Sequence, residues 1–209
     1  GQTEPRLRFP EFRDKGAWEE EVLEKVFHLQ DGFAFKSTDL TESSENATQL
    51  VRITEINNKN INENKVYVPN GLLDALILKQ YLVKDGDLLL SLTGAAGFNF
   101  FIWDSGQAVL NQRTLKIKAK KQSDLNLTYL LEPLIYTKIN NRGEGQNNNL
   151  SKEFLSKLPI LKPKSDEQQF IANCLSSLDF QIIAQSQKTE ALKQHKNGLM
   201  RQLFPNREE

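Results

Sequence analysis

The stretch SDEQQFIANCLSSLDFQIIAQSQKTEALKQHKNGLMRQLFP, residues 165–205, decides the architecture of this chain. Apolar or aligned positions recur at Ile171, Leu175, Leu178, Ile182, Gln185, Thr189, Leu192, Lys196, Leu199 and Leu203, alternating gaps of four and three. That alternation is the heptad seam of a coiled-coil helix. Ser165 and Gln168 have the spacing of a capping box, Asp166 and Glu167 fall where the helix dipole favours acids, and Pro205 stops the run. At 1.5 Å rise per residue, a helix from Asp166 to Phe204 is about 58 Å long, more than a small domain can cover. A helix that outruns its domain must cover its apolar stripe with something else, so a partner helix is expected. Gln185, Thr189 and Lys196 dilute the seam and leave its strongest contacts near the two ends.

Upstream the periods change. Residues 18–29 mix extended and helical spacing and read as an opening strand running into a short helix. Leu50 to Ile56 alternates at period two, Lys65 to Pro69 is a short strand closed by proline, and Leu72 to Tyr81 has the spacing of one or two helical turns. Asp87 to Leu92 reads as a buried strand, Thr93 to Gly97 as a turn, and Phe98 to Trp103 and Leu110 to Lys120 as further strands. Helical period resumes at Leu127 and runs to Ile139, with Pro133 expected to kink or delay it. The reading is therefore α+β: a curved mixed or antiparallel sheet with one core in residues 1–164, then the long helix of residues 165–205. With 209 residues, the chain is too short for two domains with separate cores.

Formal net charge is zero, but it is unevenly spread. Residues 104–164 hold 11 Lys and Arg against 5 Asp and Glu, a net +6, while residues 1–103 hold 11 against 16. Arg113, Lys116, Lys118, Lys120 and Lys121 form its densest part, without an acid among them. Such a run suits phosphate contacts, or equally a strand edge defended by lysines. No apolar run reaches membrane-spanning length, the N-terminus has no signal core, and Cys174 has no second cysteine to pair with, so a soluble cytoplasmic protein is expected.

Catalytic constellations are sparse. His28 and His195 lie far apart without Cys or carboxylates at metal-ligand spacing, and structural roles are expected for both. Cys174 reads as a buried, inert thiol on the helix. Asp85 and Asp87 with Lys84 read as a β-turn before a strand rather than as a nuclease site. No glycine loop carrying Lys-Ser/Thr is present, and no cofactor is expected.

Several short motifs, in order, resemble the specificity subunits of type I restriction-modification enzymes. They are Leu7 to Phe12 followed by Trp18, Leu50 to Ile56, Val83 to Gly94, Gly143 to Gln146, Leu150-Ser151, Leu158 to Ile160, Glu167 to Ala172, Leu178-Asp179 and Gly198 to Pro205. The resemblance implies a non-catalytic subunit that binds double-stranded DNA and docks modification subunits, which methylate adenine using S-adenosylmethionine. It also implies that the complex directs ATP-driven restriction subunits. The family's usual chain holds two recognition domains and two antiparallel spacer helices; this sequence holds one of each. Either a half-subunit that pairs with itself as an antiparallel homodimer, or a piece of a longer chain, accounts for that.

For such a subunit, phosphate contacts are expected from Lys36, Arg113, Lys116, Lys118 and Arg142. Base reading is expected from Arg52, Asn99, Gln112, Gln146, Asn147, Asn148 and Asn149, because Asn and Gln match adenine edges and Arg matches guanine. The dimer helix is expected to pair through Ile171, Leu175, Leu178, Ile182, Leu192, Leu199 and Leu203. The alternative from another class is a coiled-coil protein-interaction adaptor that does not bind DNA, for which the neutral net charge speaks.

Overall fold

The computed structural model describes residues 4–58, 64–75, 78–93, 98–121, 127–140 and 150–204. The chain divides into two compact units, Gly1–Ser165 and Asp166–Glu209. In the first, strands β1 (Glu19–Val22), β2 (Phe27–Asp31), β3 (Ala47–Val51), β4 (Tyr67–Pro69), β5 (Leu82–Val83), β6 (Leu88–Ser91), β7 (Phe100–Ile102), β8 (Ala108–Leu110), β9 (Thr114–Ala119) and β10 (Pro159–Lys162) form three sheets. Helices α1 (Leu23–Val26), α2 (Ile53–Asn57), α3 (Asn70–Ala75), α4 (Thr128–Asn140) and α5 (Lys152–Ser156) connect and cover them.

One sheet is wholly antiparallel, in the order β2-β9-β6-β7. A second runs β4-β3-β8-β5 and is mixed, since β3 and β8 pair in parallel. The third pairs β1 with β10, antiparallel, with Glu19 opposite Lys162. The fold is thus mixed α/β with antiparallel pairing dominant, as the strand spacing led us to expect.

The run Leu88-Leu89-Leu90 explains how the layers stack. Side chains alternate across a strand, so a strand with all three leucines buried is covered on both faces. Leu88 and Leu90 join a cluster with Leu115, Ile117, Leu127, Leu131 and Ile135, the last three lining one face of α4 and the turn before it. Leu89 faces the other way, into a cluster with Val51, Ile56, Trp103, Ala108 and Leu110 between the two four-stranded sheets. Leu50 and Val109 point beyond the mixed sheet, toward Phe35, Val68, Leu73 and Leu78. The single core anticipated from length is therefore three buried clusters, because two stacked sheets have four faces to cover rather than two.

Three local expectations change. The strand expected over 50–56 ends at Val51, and Ile53–Asn57 is helical. There the alternation of apolar residues serves a short helix whose Ile56 is buried. Leu110 to Lys120 is two strands split by a turn at 111–113 rather than one. Pro133 lies inside α4, which starts five residues before it, so the proline does not delay the helix. The β-turn at Lys84 to Asp87 is as expected. Asp87 N–H donates to the Lys84 carbonyl at 3.0 Å, Lys84 N–H to Asp87 Oδ2 at 3.0 Å, and Gly86 takes the φ of +87° that a side chain would resist.

The second unit is helix α6 (Ser165–Leu203), 39 residues long. It begins at Ser165 itself, one position earlier than a Ser165 cap requires, and Pro205 lies outside the described residues. Its buried residues, Glu167, Gln168 and Ala172, all lie in the first two turns. Cys174 is exposed, not buried as expected, because it stands beside the seam on a helix with little cover. No described helix is long and apolar enough to cross a membrane.

Candidate nucleic-acid interface

Three chain segments meet at one end of the sheets. The first is the exit of β3 into α2. Arg52 is extended, and from it the chain turns into the helix. Glu55, one turn on, folds back: its carboxylate accepts from the Arg52 backbone N–H at 2.8 Å, from Arg52 Nε at 3.1 Å and Nη2 at 2.6 Å, and from the Thr54 hydroxyl at 3.0 Å. Glu55 is fully buried. Burial alone pushes its carboxyl up, but the Arg52 guanidinium, the Arg52 N–H and the Thr54 hydroxyl outweigh that and hold it below the ordinary carboxylate value. The guanidinium also donates to the Asn64 carbonyl at 2.9 Å, tying down the far end of the connection after α2.

The second segment is the β8–β9 turn. Thr114 N–H closes it onto the Asn111 carbonyl at 3.3 Å, with Gln112 and Arg113 as its central residues. Neighbours grip its backbone from three directions. Asn111 N–H donates to Val51 O at 3.0 Å, Gln112 N–H to Phe33 O at 2.9 Å, and the Arg113 carbonyl accepts from Leu92 N–H at 2.9 Å. The approach at Gly32 is so close that a Cβ there would stand 1.9 Å from the Asn111 carbonyl oxygen, so only glycine admits it.

The third segment follows β6. Asn99 is half-buried; its N–H donates to Ser91 Oγ at 2.9 Å and its side-chain amide to Asn57 Oδ1 at 3.0 Å, which links this connection to the end of α2. Leu92 N–H holds the Arg113 carbonyl, and the Leu92 carbonyl accepts from Leu150 N–H at 2.8 Å. Leu92 thus ties Leu150 to the β8–β9 turn.

Arg52, Ile53, Thr54, Asn111, Gln112 and Arg113 line one open recess. Of the residues singled out in the sequence, the fold brings Arg52, Gln112 and Arg113 together there, with Asn99 joined through Asn57. They differ in availability. Arg52 is engaged by Glu55 and Asn64, whereas the side chains of Gln112 and Arg113 are exposed and have no hydrogen-bond or ion-pair partner among the described residues. Chemically the recess offers a guanidinium fork, a carboxamide that both donates and accepts, and a hydroxyl.

The other candidates fall elsewhere. Lys116 turns inward on β9, where its ammonium donates to the Leu82 carbonyl at 2.5 Å and stands 3.9 Å from Asp87. Burial lowers its pKa, partly offset by Asp87, and Lys118 and Lys84 lower it further. Lys118, two residues on, is exposed on the same face of β9 and sits opposite His28, itself exposed. Lys36 is exposed just after the buried Phe35. Arg142, Gln146, Asn147, Asn148 and Asn149 lie outside the described residues. On α6, Ile171 and Leu175 are half-buried, while Leu178, Ile182, Leu192, Leu199 and Leu203 are exposed. Glu55, Asn57 and Asn111 were not singled out in the sequence. The i, i+3 spacing of Arg52 and Glu55 was the available signal for the first, but nothing local marked the other two.

Residues 15–194 match the family described as the type I restriction modification DNA specificity domain. The chain is 27% identical over 181 residues to the specificity subunit of the type I restriction enzyme EcoBI from Escherichia coli, covering 85% of this chain and 36% of that one. It is 29% identical over 142 residues to the MjaVIII specificity subunit from Methanocaldococcus jannaschii, covering 66% and 33%. The chain therefore spans about a third of the length of these curated relatives. Among solved structures, its fold is similar to the HsdS subunit from Thermoanaerobacter tengcongensis, with a TM-score of 0.56 and 16% identity over 87% of this chain and 41% of that one. It is also similar to the type I S subunit from M. genitalium, with a TM-score of 0.58 and 14% identity over 93% and 47%. With the family's sequence pattern running from the turn before β1 deep into α6, and a fold that its solved members share, this chain belongs to the type I restriction modification DNA specificity domain family.

Proposed function

We propose that the chain is a DNA-reading specificity unit: the Gly1–Ser165 unit contacts a short duplex half-site, and α6 sets the distance to a second one. The observation that carries this reading is the recess at the ends of β3 and β8, where unengaged Gln112 and Arg113 stand beside Arg52 on a rigid backbone. Guanidinium and carboxamide groups are the side chains whose paired donors and acceptors match base edges. Lys36 and Lys118, exposed and flexible, fit phosphate contacts that position the duplex without reading it. Arg142 and Gln146 to Asn149, outside the described residues, remain candidates for further contacts by residue type alone.

The exposed stripe of Leu178, Ile182, Leu192, Leu199 and Leu203 supports pairing of α6 with an antiparallel helix, supplied by a second copy. Two-fold symmetry in the protein then requires inverted, identical half-sites in the DNA. The chain carries no chemistry of its own in this reading. Adenine methylation belongs to modification subunits docked on it, and restriction to subunits recruited through the complex, in the cytoplasm.

The test is a gel shift with random and selected duplexes, with and without the modification subunit, read beside sedimentation of the chain. Sequence-preferring binding, and loss of self-association when Leu175, Leu178 and Leu199 are replaced by glutamate, are the expected results. Retained self-association in that variant removes the ruler role from α6. Self-association without any DNA binding leaves the adaptor reading, which the neutral net charge favours.

A further inference from the structure

Among the described residues, two that are not glycine hold a positive φ: Asn46 at 48° and Arg113 at 64°. Asparagine tolerates the left-handed region, but an arginine there sets its Cβ against its own backbone. Arg113 occupies the third position of the β8–β9 turn, where a positive φ makes glycine the unstrained choice. Strain of this kind survives only when the surroundings over-determine the backbone. Here they do, through the hydrogen bonds that Val51, Phe33 and Leu92 make to residues 111–113 and the close approach of Gly32. What the strain does for the fold is nothing visible: the guanidinium is exposed and engages no described residue. Arg52, across the same recess, is the reverse case, with an unstrained backbone and a guanidinium committed to the buried Glu55.

We infer that Arg113 is a specificity-determining residue that reads a guanine edge in the DNA half-site, an inference resting on the DNA-recognition reading above. A phosphate contact needs only a positive charge within reach, which a flexible lysine such as Lys118 supplies from a relaxed strand. A bidentate contact to guanine O6 and N7 needs a planar fork presented from a fixed origin. A clamped turn provides that origin, and the strained backbone aims the side chain where a relaxed one would not. Gln112, next to it on the same turn and equally unengaged, is placed for the adjacent base pair.

The experiment uses the complex with its modification subunit, and reads bound-sequence preference, salt dependence and thermal unfolding for the wild type and three variants. Arg113→Gly relieves the strain, so its unfolding midpoint stays level or rises by up to about 4 °C. Its discrimination at one base pair of the half-site falls about 10- to 100-fold, the range of one lost bidentate contact. Arg113→Gln keeps the strain and shifts preference at that base pair from guanine toward adenine. Lys118→Ala leaves every preference unchanged. The inference is overturned if Arg113→Gly weakens binding equally on all sequences with a shallower salt slope, which marks a phosphate contact, or if it leaves binding unchanged. A wild-type complex without any sequence preference removes the recognition reading itself, a result separable from the other two.

Discussion

Leucines in the two units of this chain meet opposite fates. Leu89 in β6 and Leu110 in β8 are 0% exposed, whereas Leu192 and Leu203 in α6 are 60% and 73% exposed. The residue type is the same, so the difference lies in what each element can reach. A strand between two layers has both faces covered by its own chain, and Leu88, Leu89 and Leu90 fill three successive positions of such a strand. A lone helix of 39 residues presents its stripe to whatever comes. Polar residues within that stripe fit this: Thr189 satisfies its hydroxyl on the Gln185 carbonyl at 2.9 Å, at no cost in buried polarity.

The contrast can be broken at several points. The largest effect is expected at Trp103, fully buried between the two four-stranded sheets with its indole N–H on the Gly106 carbonyl at 2.7 Å. Trp103→Ala should cost about 3–5 kcal/mol in urea unfolding; a loss under about 1 kcal/mol would mean the sheets do not depend on what lies between them.

Next is Glu55→Gln, which strips Arg52 of its charge partner. A buried pair broken on one side costs about 3–5 kcal/mol, and because the Arg52 side chain is 30% exposed the lower end applies. The same pair predicts an acid dependence. Glu55 has its folded pKa below the unfolded one, so its stabilisation is complete above the ordinary value of 4.5 and is lost as pH falls through the lowered folded value. Wild type should lose stability there, and Glu55→Gln should lose less, in unfolding measured from pH 6 downward; equal losses would show that other carboxylates carry the acid response.

A smaller effect on the fold, and the sharpest test of the contrast, comes from α6. Ile182→Glu and Leu192→Glu, at exposed positions, should each change the unfolding free energy of the dilute chain by no more than about 0.5 kcal/mol. A loss of 2 kcal/mol or more from either would mean that the chain covers this stripe itself. The smallest is Lys118→Ala, which should leave stability unchanged within about 0.5 kcal/mol and reduce the salt slope of DNA binding by about 1. An unchanged slope removes Lys118 from the phosphate contacts.

How much was legible depended on the range of the forces involved. The helical period of α6, the buried run at Leu88 and the turn at Lys84 to Asp87 are local patterns, and each appears in the structure where the spacing placed it. The helix at Ile53–Asn57 was not legible, because five residues of alternating polarity fit either period until Glu55 finds Arg52. Lys116 and Lys118 looked alike in sequence. They differ because the Leu82 carbonyl and Asp87, 34 and 29 positions away along the chain, turn only Lys116 inward.

By itself the sequence determined the long terminal helix, the strand-rich unit before it and the order of family motifs, since those rest on propensity, period and residue order. Only the tertiary structure decided which of the polar candidates lie together. Arg52, Asn99 and Arg113 are spread along the chain, and it is the parallel pairing of β3 with β8, with the grip of Phe33 and Leu92 on the β8–β9 turn, that gathers them. It also decided which arginine is structural and which is unengaged. That distinction depends on a carboxylate buried one helical turn from Arg52 and on the absence of any such partner, among the described residues, beside Arg113.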